Sequence, residues 1–351
     1  MTQERGAPVM LPTRSPSVGT DLRAGDDELV SVIVPARDEE RSIGATLEAL
    51  RRQAYRNLQI VVVDGGSADS TVAVVQQHMA EDERIELVHN PRQTIPTALN
   101  LALAAARGRW LVRMDAHSTV GPEYVGTAVA RLREERWGGV GGRKDGTGST
   151  FAGRAIAAAL GSRFGVGGSV YHHGVAEQEV DHIPFGAYPT ELVRSLGGWD
   201  ESLVANEDFE FDHRLRSRGG RLLFDPRLRI TWQSKQSLRE LFQQYRRYGR
   251  GKVDVARLHP HSLRLRHLLP PLLVPYLAAA AGAVPIRPRV AGAMLAPYAA
   301  ALAIASVRSA RGLDDARARG LVPAAFLAMH VGWGLGVWSR TLELVRRGVT
   351  R

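Results

Sequence analysis

The sequence predicts an α/β fold, a mostly parallel sheet with helices on both faces, followed by C-terminal hydrophobic transmembrane helices. Three observations predict it. From residue 29, short apolar runs alternate with helical stretches. Those runs are continuous and rich in β-branched residues, the pattern of strands buried on both faces of a parallel sheet. Beyond residue 267, three long runs carry no Asp, Glu, Lys or Arg.

Val30–Val34 reads as the first strand. Glu39–Arg52 reads as a helix, because Ile43, Leu47 and Leu50 fall on one face. Leu58–Val63 is the second strand, and Ser67–Asp69 can cap a helix running to about Met79. Ile85–Val88, a helix from Thr94 to Ala106, and Trp110–Met114 continue the pattern. In such sheets ligands bind beyond the carboxyl ends of the strands, so the polar residues that follow each strand matter most.

After the first strand comes Pro35-Ala36-Arg37-Asp38-Glu39-Glu40. After the second comes Asp64-Gly65-Gly66-Ser67-Ala68-Asp69-Ser70-Thr71, and after the strand near 110–114 comes Asp115-Ala116-His117. No G-x-G-x-x-G follows the first strand, so the dinucleotide fingerprint is missing. Acid-rich strand ends suit a different task. They can hydrogen-bond a nucleobase and ribose, and hold a divalent cation that neutralises a diphosphate.

Composition narrows the class. The 351 residues include no Cys, which excludes a disulfide scaffold, thiolate metal sites and a Cys nucleophile. Apolar residues make up 44%, against wholesale disorder. The formal charge is +10, yet residues 1–259 are nearly neutral. Residues 260–351 carry 12 Arg against 3 acids. The cations are 43 Arg and only 3 Lys. A nucleic-acid-binding tail is a weak reading, because these arginines punctuate uncharged runs and form no dense patch interleaved with aromatics.

Residues 1–28 are rich in Pro, Ser, Gly, Arg and Asp without apolar period, and read as a disordered leader. No apolar stretch follows the first Met, so a secretory signal is not expected and the first domain should stay in the cytosol. Leu268–Ile286, Val290–Val307 and Leu321–Trp338 are 19, 18 and 18 residues long, near the length of a membrane span. Three full spans would put the connector Arg308–Gly320 on the cytoplasmic side, as the positive-inside rule prefers. They would also put Arg340, Arg346, Arg347 and Arg351 outside, against that rule. A re-entrant or interfacial run removes the conflict. The expected organisation is a leader at 1–28, an α/β domain at 29–235, amphipathic interfacial helices at 236–267 and a membrane-associated region at 268–351. Leu238, Leu241, Phe242, Tyr245 and Tyr248 give the interfacial segment an apolar stripe flanked by cations.

The order and spacing of the strand-end motifs resemble family 2 glycosyltransferases of the GT-A nucleotide-diphospho-sugar transferase fold. More narrowly, they resemble succinoglycan-type bacterial polysaccharide glucosyltransferases, over about residues 29–255. The resemblance implies that Pro35, Glu39, Asp64, Gly66, Asp69 and Asp115 bind the donor, with Asp64 on its uracil. Asp64 can equally be a turn-forming strand-end acid, and Glu39 and Asp69 can be first-turn or capping acids. Asp115-Ala116-His117 stands where the family carries D-x-D, which implies Asp115 and His117 as ligands of Mg²⁺ or Mn²⁺. The alternative for His117 is a structural hydrogen bond. Trp232 and Gln233 fall near a family metal-binding His, whose absence leaves a third ligand open.

Gly186-Ala187-Tyr188 through Trp199-Asp200-Glu201 matches the family's acceptor-side segment. It ends in Asn206-Glu207-Asp208, where the resemblance makes Asp208 the general base and Glu207 its understudy. Gln244, Arg247 and Tyr248 align with Q-x-x-R-W, with Tyr in place of Trp, a segment that touches acceptor and diphosphate in the family. Phe164–Glu179, with His172 and His173, is either a loop that orders over the donor or a plain connector. The implied activity is inverting transfer from a nucleoside-diphosphate sugar, UDP-glucose or a relative. The implied acceptor is a lipid-linked oligosaccharide in cell-surface polysaccharide synthesis. The implied place is the cytoplasmic side of the inner membrane, where phospholipid is the tail's acidic partner. Polyprenyl phosphate is the alternative acceptor. A nucleotide-sugar-binding protein without catalysis is the remote alternative.

Overall fold

The computed structural model describes residues 28–349; the expected leader, apart from Glu28, and Arg351 lie outside the described residues. The strands are β1 (Val30–Ala36), β2 (Leu58–Asp64), β3 (Ile85–His89), β4 (Trp110–Arg113), β5 (Ser118–Val120), β6 (Gly139–Thr147), β7 (Gln178–Val180), β8 (Ala187–Pro189) and β9 (Leu222–Gln233). The helices are α1 (Ile43–Arg51), α2 (Thr71–Glu81), α3 (Ile95–Ala105), α4 (Tyr124–Leu132), α5 (Phe151–Leu160), α6 (Arg163–Val166), α7 (Thr190–Ser195), α8 (Glu207–Ser217), α9 (Leu238–Leu258), α10 (Leu265–Ala283), α11 (Pro288–Ala310) and α12 (Ala316–Val349).

The sheet runs β3-β2-β1-β4-β8-β6-β9-β5, with β7 paired to β9. β3, β2, β1 and β4 are parallel, as the apolar runs predict. β8 joins β4 antiparallel, and β5 and β7 join β9 antiparallel, so the sheet is mixed beyond β4. Period-2 geometry splits each strand between two cores. Val30, Val32 and Val34 face Ile43, Leu47 and Leu50 of α1. Ile33, Val61 and Val63 face Leu99 and Ala102 of α3 and Phe211 of α8. Each fully buried Leu or Ile stabilises the fold by roughly 1.5–3 kcal/mol.

α1 begins at Ile43, four residues after the predicted start, because the backbone ahead of it is committed elsewhere. The Glu39 N–H donates to Thr71 Oγ1 at 2.7 Å, and the Glu40 N–H to Asp69 Oδ2 at 3.1 Å. α2 likewise begins at Thr71, whose N–H donates to Asp69 Oδ1 at 2.9 Å.

The chain divides into two compact units, one of residues 28–144 and 174–232 among those described, the other of residues 145–173 and 233–349. In the second unit α9 lies along α12. A Cβ on Gly336 would sit 2.2 Å from Arg246 O, and one on Gly249 would sit 2.2 Å from Trp333 O. Only glycine admits so close a backbone approach. Phe242 and Tyr245 come within 3.3 Å of where a Gly332 Cβ would be. Leu241 is buried, and the middle of the stripe rests on α12. An amphipathic pattern states that a face is covered, not by what.

α11 and α12 are long and apolar enough to cross a membrane. α10, with Pro270, Pro271 and Pro275 inside it and Arg266 near its start, falls short among the described residues. Val290, Ile304 and Val307 of α11 are exposed apolar side chains.

Candidate active site

The parallel strands bring three acid-bearing ends to one edge, with Ala36 paired to Asp64 and Ile33 to Arg113. The loops after β1 and β2 are sewn together. The Gly65 N–H donates to Ala36 O at 2.8 Å, the Ala68 N–H to Asp38 Oδ1 at 2.8 Å, and the Ser70 N–H to Glu40 Oε2 at 3.1 Å. Asp64 is buried and accepts from the Gly66 N–H at 3.0 Å and from Ser67 Oγ at 2.6 Å. Gly66 takes φ +75°, and a Cβ there would sit 2.8 Å from Gln93 Nε2. Asp64 is thus built into its own turn, and Asp69 joins the loops through its bonds to Glu40 and Thr71. Pro35 lies one residue before the end of β1, opposite Val63.

His117 lies 2.9 Å from Glu39, Nδ1 to Oε1, and Ser42 Oγ donates to Glu39 Oε2 at 2.6 Å. Burial opposes charge on both partners. The contact prevails, lowering the pKa of Glu39 and raising that of His117, with Asp115 also favouring the imidazolium. The structural hydrogen bond considered for His117 is therefore present. It is also the arrangement in which a carboxylate orients an imidazole and leaves Nε2 for a metal. Asp115 and His117 fit a divalent cation as a two-residue donor set. Among the described residues no cluster of three or more His, Asp or Glu is poised to hold one.

Two residues that the sequence reading passed over dominate the electrostatics. Arg113, the last residue of β4, has a side chain only 5% exposed. It forms an ion pair with Asp208, and its Nη2 lies 3.4 Å from both Asp115 Oδ1 and Glu207 Oε1. Burial works against its charge, yet Asp208, Asp115 and Glu207 raise its pKa above the ordinary value. One guanidinium shared by three carboxylates neutralises none of them fully. Burial accordingly outweighs Arg113 at Asp208, whose pKa is pushed up to about 7, with Glu207 adding to the rise.

Lys144 of β6 is the second. Its Nζ lies 3.9 Å from the Trp232 ring centroid and 4.3 Å from that of Phe185. Burial lowers its pKa to about 8, against the pull of Asp115.

Asp208 and Glu207 reach the cluster from the first turn of α8. Asn206 starts that helix at φ +67°, a left-handed conformation that Asn tolerates. One turn on, the buried Asp212 accepts from the Ile183 N–H at 2.8 Å and Tyr188 Oη at 3.1 Å, and lies 2.7 Å from His182 Nδ1. It anchors α8 under the cluster.

Trp199 is 2% exposed and stacks on Phe211 at 5.2 Å, in the core beside α8. Asp200 Oδ1 accepts from the Ser202 N–H at 2.8 Å, closing a turn. Gln244, Arg247 and Tyr248 lie on α9 in the second unit, where Gln244 Nε2 donates to Tyr248 Oη at 3.1 Å. Phe164 is anchored in that unit, its ring 5.1 Å from Phe326 and its carbonyl 2.8 Å from His330 Nε2. His173 Nε2 lies 3.1 Å from Gly167 O, a local tie.

A family model described as "Glycosyl transferase family 2" matches residues 31–164. The "Succinoglycan biosynthesis protein ExoA" of Rhizobium meliloti (strain 1021) is 30% identical over 328 residues, 92% of this chain and 98% of its own. A Methanococcus voltae relative is 24% identical over 233 residues, 64% of this chain and 72% of its own. It is described as a "Dolichyl N-acetyl-alpha-D-glucosaminyl phosphate 3-beta-D-2,3-diacetamido-2,3-dideoxy-beta-D-glucuronosyltransferase". Among solved structures, the mannosyltransferase PcManGT from Pyrobaculum calidifontis, in complex with GDP-Man and Mn2+, matches with a TM-score of 0.62 at 22% identity. That match covers 87% of this chain and 86% of the other. The fold is that of the GT-A glycosyltransferases. The chain belongs to glycosyl transferase family 2.

Proposed function

We propose that this protein is an inverting, metal-assisted sugar transferase that extends a lipid-linked saccharide from a nucleoside-diphosphate sugar. The reading rests on one observation above all. Arg113 draws together the strand-end acid Asp115 and the helix acid Asp208 in a buried cluster at the carboxyl edge of the parallel strands. A charge-holding group and a proton acceptor, approached from different elements, are what inverting transfer requires.

The loops after β1 and β2, with Pro35, Glu39, Asp64, Gly66 and Asp69, shape the nucleoside side. Asp115 and His117 would hold Mg²⁺ or Mn²⁺, the latter being the ion named with PcManGT. When bound, that cation offsets the charge developing on the leaving diphosphate. Asp208 takes the proton of an acceptor hydroxyl as its oxygen bonds to the anomeric carbon and the bond to diphosphate breaks. The raised pKa of Asp208 makes it a stronger base than an ordinary carboxylate once ionised. UDP-glucose and GDP-mannose are both within the donor class. The relatives, one described in succinoglycan biosynthesis and one as acting on a dolichyl phosphate sugar, support a lipid-linked acceptor in surface polysaccharide synthesis. α11 and α12, long and apolar enough to cross a membrane, support attachment to one; the reading puts this at the inner membrane, with the catalytic unit on the cytoplasmic side and the Arg-rich tail against phospholipid.

A donor screen by nucleotide release from membranes carrying the protein, in Mg²⁺ and Mn²⁺, tests the activity. Release from no nucleoside-diphosphate sugar would exclude it. Asp115→Ala is expected to remove the Mn²⁺-dependent part of donor affinity measured by calorimetry. Unchanged affinity in Mn²⁺ would sink the metal role. Carbonate at pH 11 is expected to leave the protein in the membrane pellet, and release to the supernatant would mean that α11 and α12 do not span.

A further inference from the structure

We infer that Lys144 is a diphosphate-binding residue, its ammonium donating to the phosphate oxygens of the donor and of the nucleoside diphosphate that leaves. The inference rests on the reading of a nucleoside-diphosphate donor made above. It adds a cation of the chain's own to the metal-holding pair.

The geometry is that of a charge waiting for an anion. Lys144 Nζ rests between the ring faces of Trp232 and Phe185, 3.9 and 4.3 Å from their centroids. Ring faces attract the charge but take up its N–H groups poorly. An ammonium carries three donors. Among the described residues it enters no ion pair, whereas the neighbouring Arg113 is committed to three carboxylates. Burial disfavours the charge on Lys144, and Arg113 adds to that, while Asp115 and Asp208 favour it. Trp232, on β9, is paired with Ser118 on β5, directly after His117, and its ring centroid lies 6.4 Å from that of His117. The aromatic seat is thus fixed to the segment expected to hold the metal.

Residue choice points the same way. The chain uses 43 Arg and 3 Lys, so a Lys at this position departs from its strong habit. Arg presents a planar fork that would pair with Asp115 or Asp208 as Arg113 does, whereas Lys is a compact point charge free to pivot toward a phosphate. A diphosphate arriving beside Asp115 supplies the oxygens that the aromatic seat lacks.

The full-length protein in detergent would be titrated by calorimetry with UDP, GDP, CDP, ADP and dTDP, and with the corresponding nucleosides, with and without Mn²⁺. Lys144→Met is expected to weaken binding of the preferred nucleoside diphosphate about 10- to 100-fold, the loss of a charge-assisted hydrogen bond. Nucleoside affinity should stay within about 2-fold, since the base and ribose contacts lie on other loops. Lys144→Gln should behave like Lys144→Met, and Lys144→Arg should recover part of the affinity. Diphosphate affinity unchanged in both neutral variants would overturn the inference, as would an equal loss of nucleoside and diphosphate affinity, which marks a packing role. Failure of the wild type to bind any of the five diphosphates would instead overturn the donor reading, and the role of Lys144 with it.

Discussion

Asp208→Asn is expected to lower turnover about 10²- to 10⁴-fold, the range that a positioned general base contributes. Nucleoside-diphosphate affinity should change by less than about 3-fold, because the amide keeps the shape of the carboxyl group. Its oxygen can still accept from Arg113, and α8 keeps its acidic first turn through Glu207 and Glu210. Glu207→Gln should cost far less. The pH profile gives the same test without a mutation. Burial holds the Asp208 pKa at about 7, and only the ionised form can accept a proton. Wild-type kcat/KM should therefore climb as pH rises through about 7 and level off above it. The residual activity of Asp208→Asn should lack that rise. A variant with full turnover, or a wild-type profile flat between pH 6 and 8, would transfer the base role elsewhere.

The parallel half of the fold was legible because β1, β2 and β4 are each short and predominantly apolar, and burial on both faces suits such a run. The acids after those strands were legible for a related reason: parallel strands deliver their carboxyl ends to one edge. What the sequence could not state was how the residues there divide their bonds. Asp64 is spent on its own turn, accepting from Gly66 and Ser67, while Asp69 accepts from the Glu40 N–H, 29 residues away, a bond that depends on two loops lying side by side. Trp199 sits in an acceptor-like motif, but its burial against Phe211 is decided by α8, which comes later in the chain. The stripe on α9 announced a covered face and left α12 unnamed.

Arg113 left a signal that could have been used. An arginine inside Trp110-Leu111-Val112-Arg113-Met114 interrupts a buried strand, and a buried arginine needs carboxylate partners. Asp115, two residues on, was one candidate, and the neighbouring acids Glu207 and Asp208 supplied the rest. Lys144 left almost none, since Gly141-Gly142-Arg143-Lys144-Asp145 carries no period that separates a site residue from a solvated one. Its aromatic seat is assembled from Phe185 and Trp232, 41 and 88 positions further along the sequence.

Arg113→Met is expected to produce the largest loss of stability of any single change in the cluster, about 3–5 kcal/mol, the cost of removing one partner from a buried ionic group. The methionine fills most of the volume, so the loss is electrostatic rather than a cavity. Its pH dependence follows from the sign of the interaction. Arg113 lowers the pKa of Asp208, so without it that carboxyl group titrates above about 7. A folded-state pKa raised further above the unfolded value of an aspartate means stability lost as pH rises. The gap between variant and wild type should therefore be widest near pH 8 and shrink toward pH 5, where the Asp208 carboxyl group is protonated in both. Thermal unfolding of the detergent-solubilised protein, followed by tryptophan fluorescence at the two pH values, measures it. The ascending limb of the rate profile should move to higher pH in any residual activity. Arg113→Lys should rescue little, because an ammonium cannot span Asp208, Asp115 and Glu207 at once. Equal stability of Arg113→Met and wild type at pH 8 would mean that the three acids are hydrated in the folded protein. The raised pKa of Asp208, and with it the rise of activity through pH 7, would then lose its physical cause.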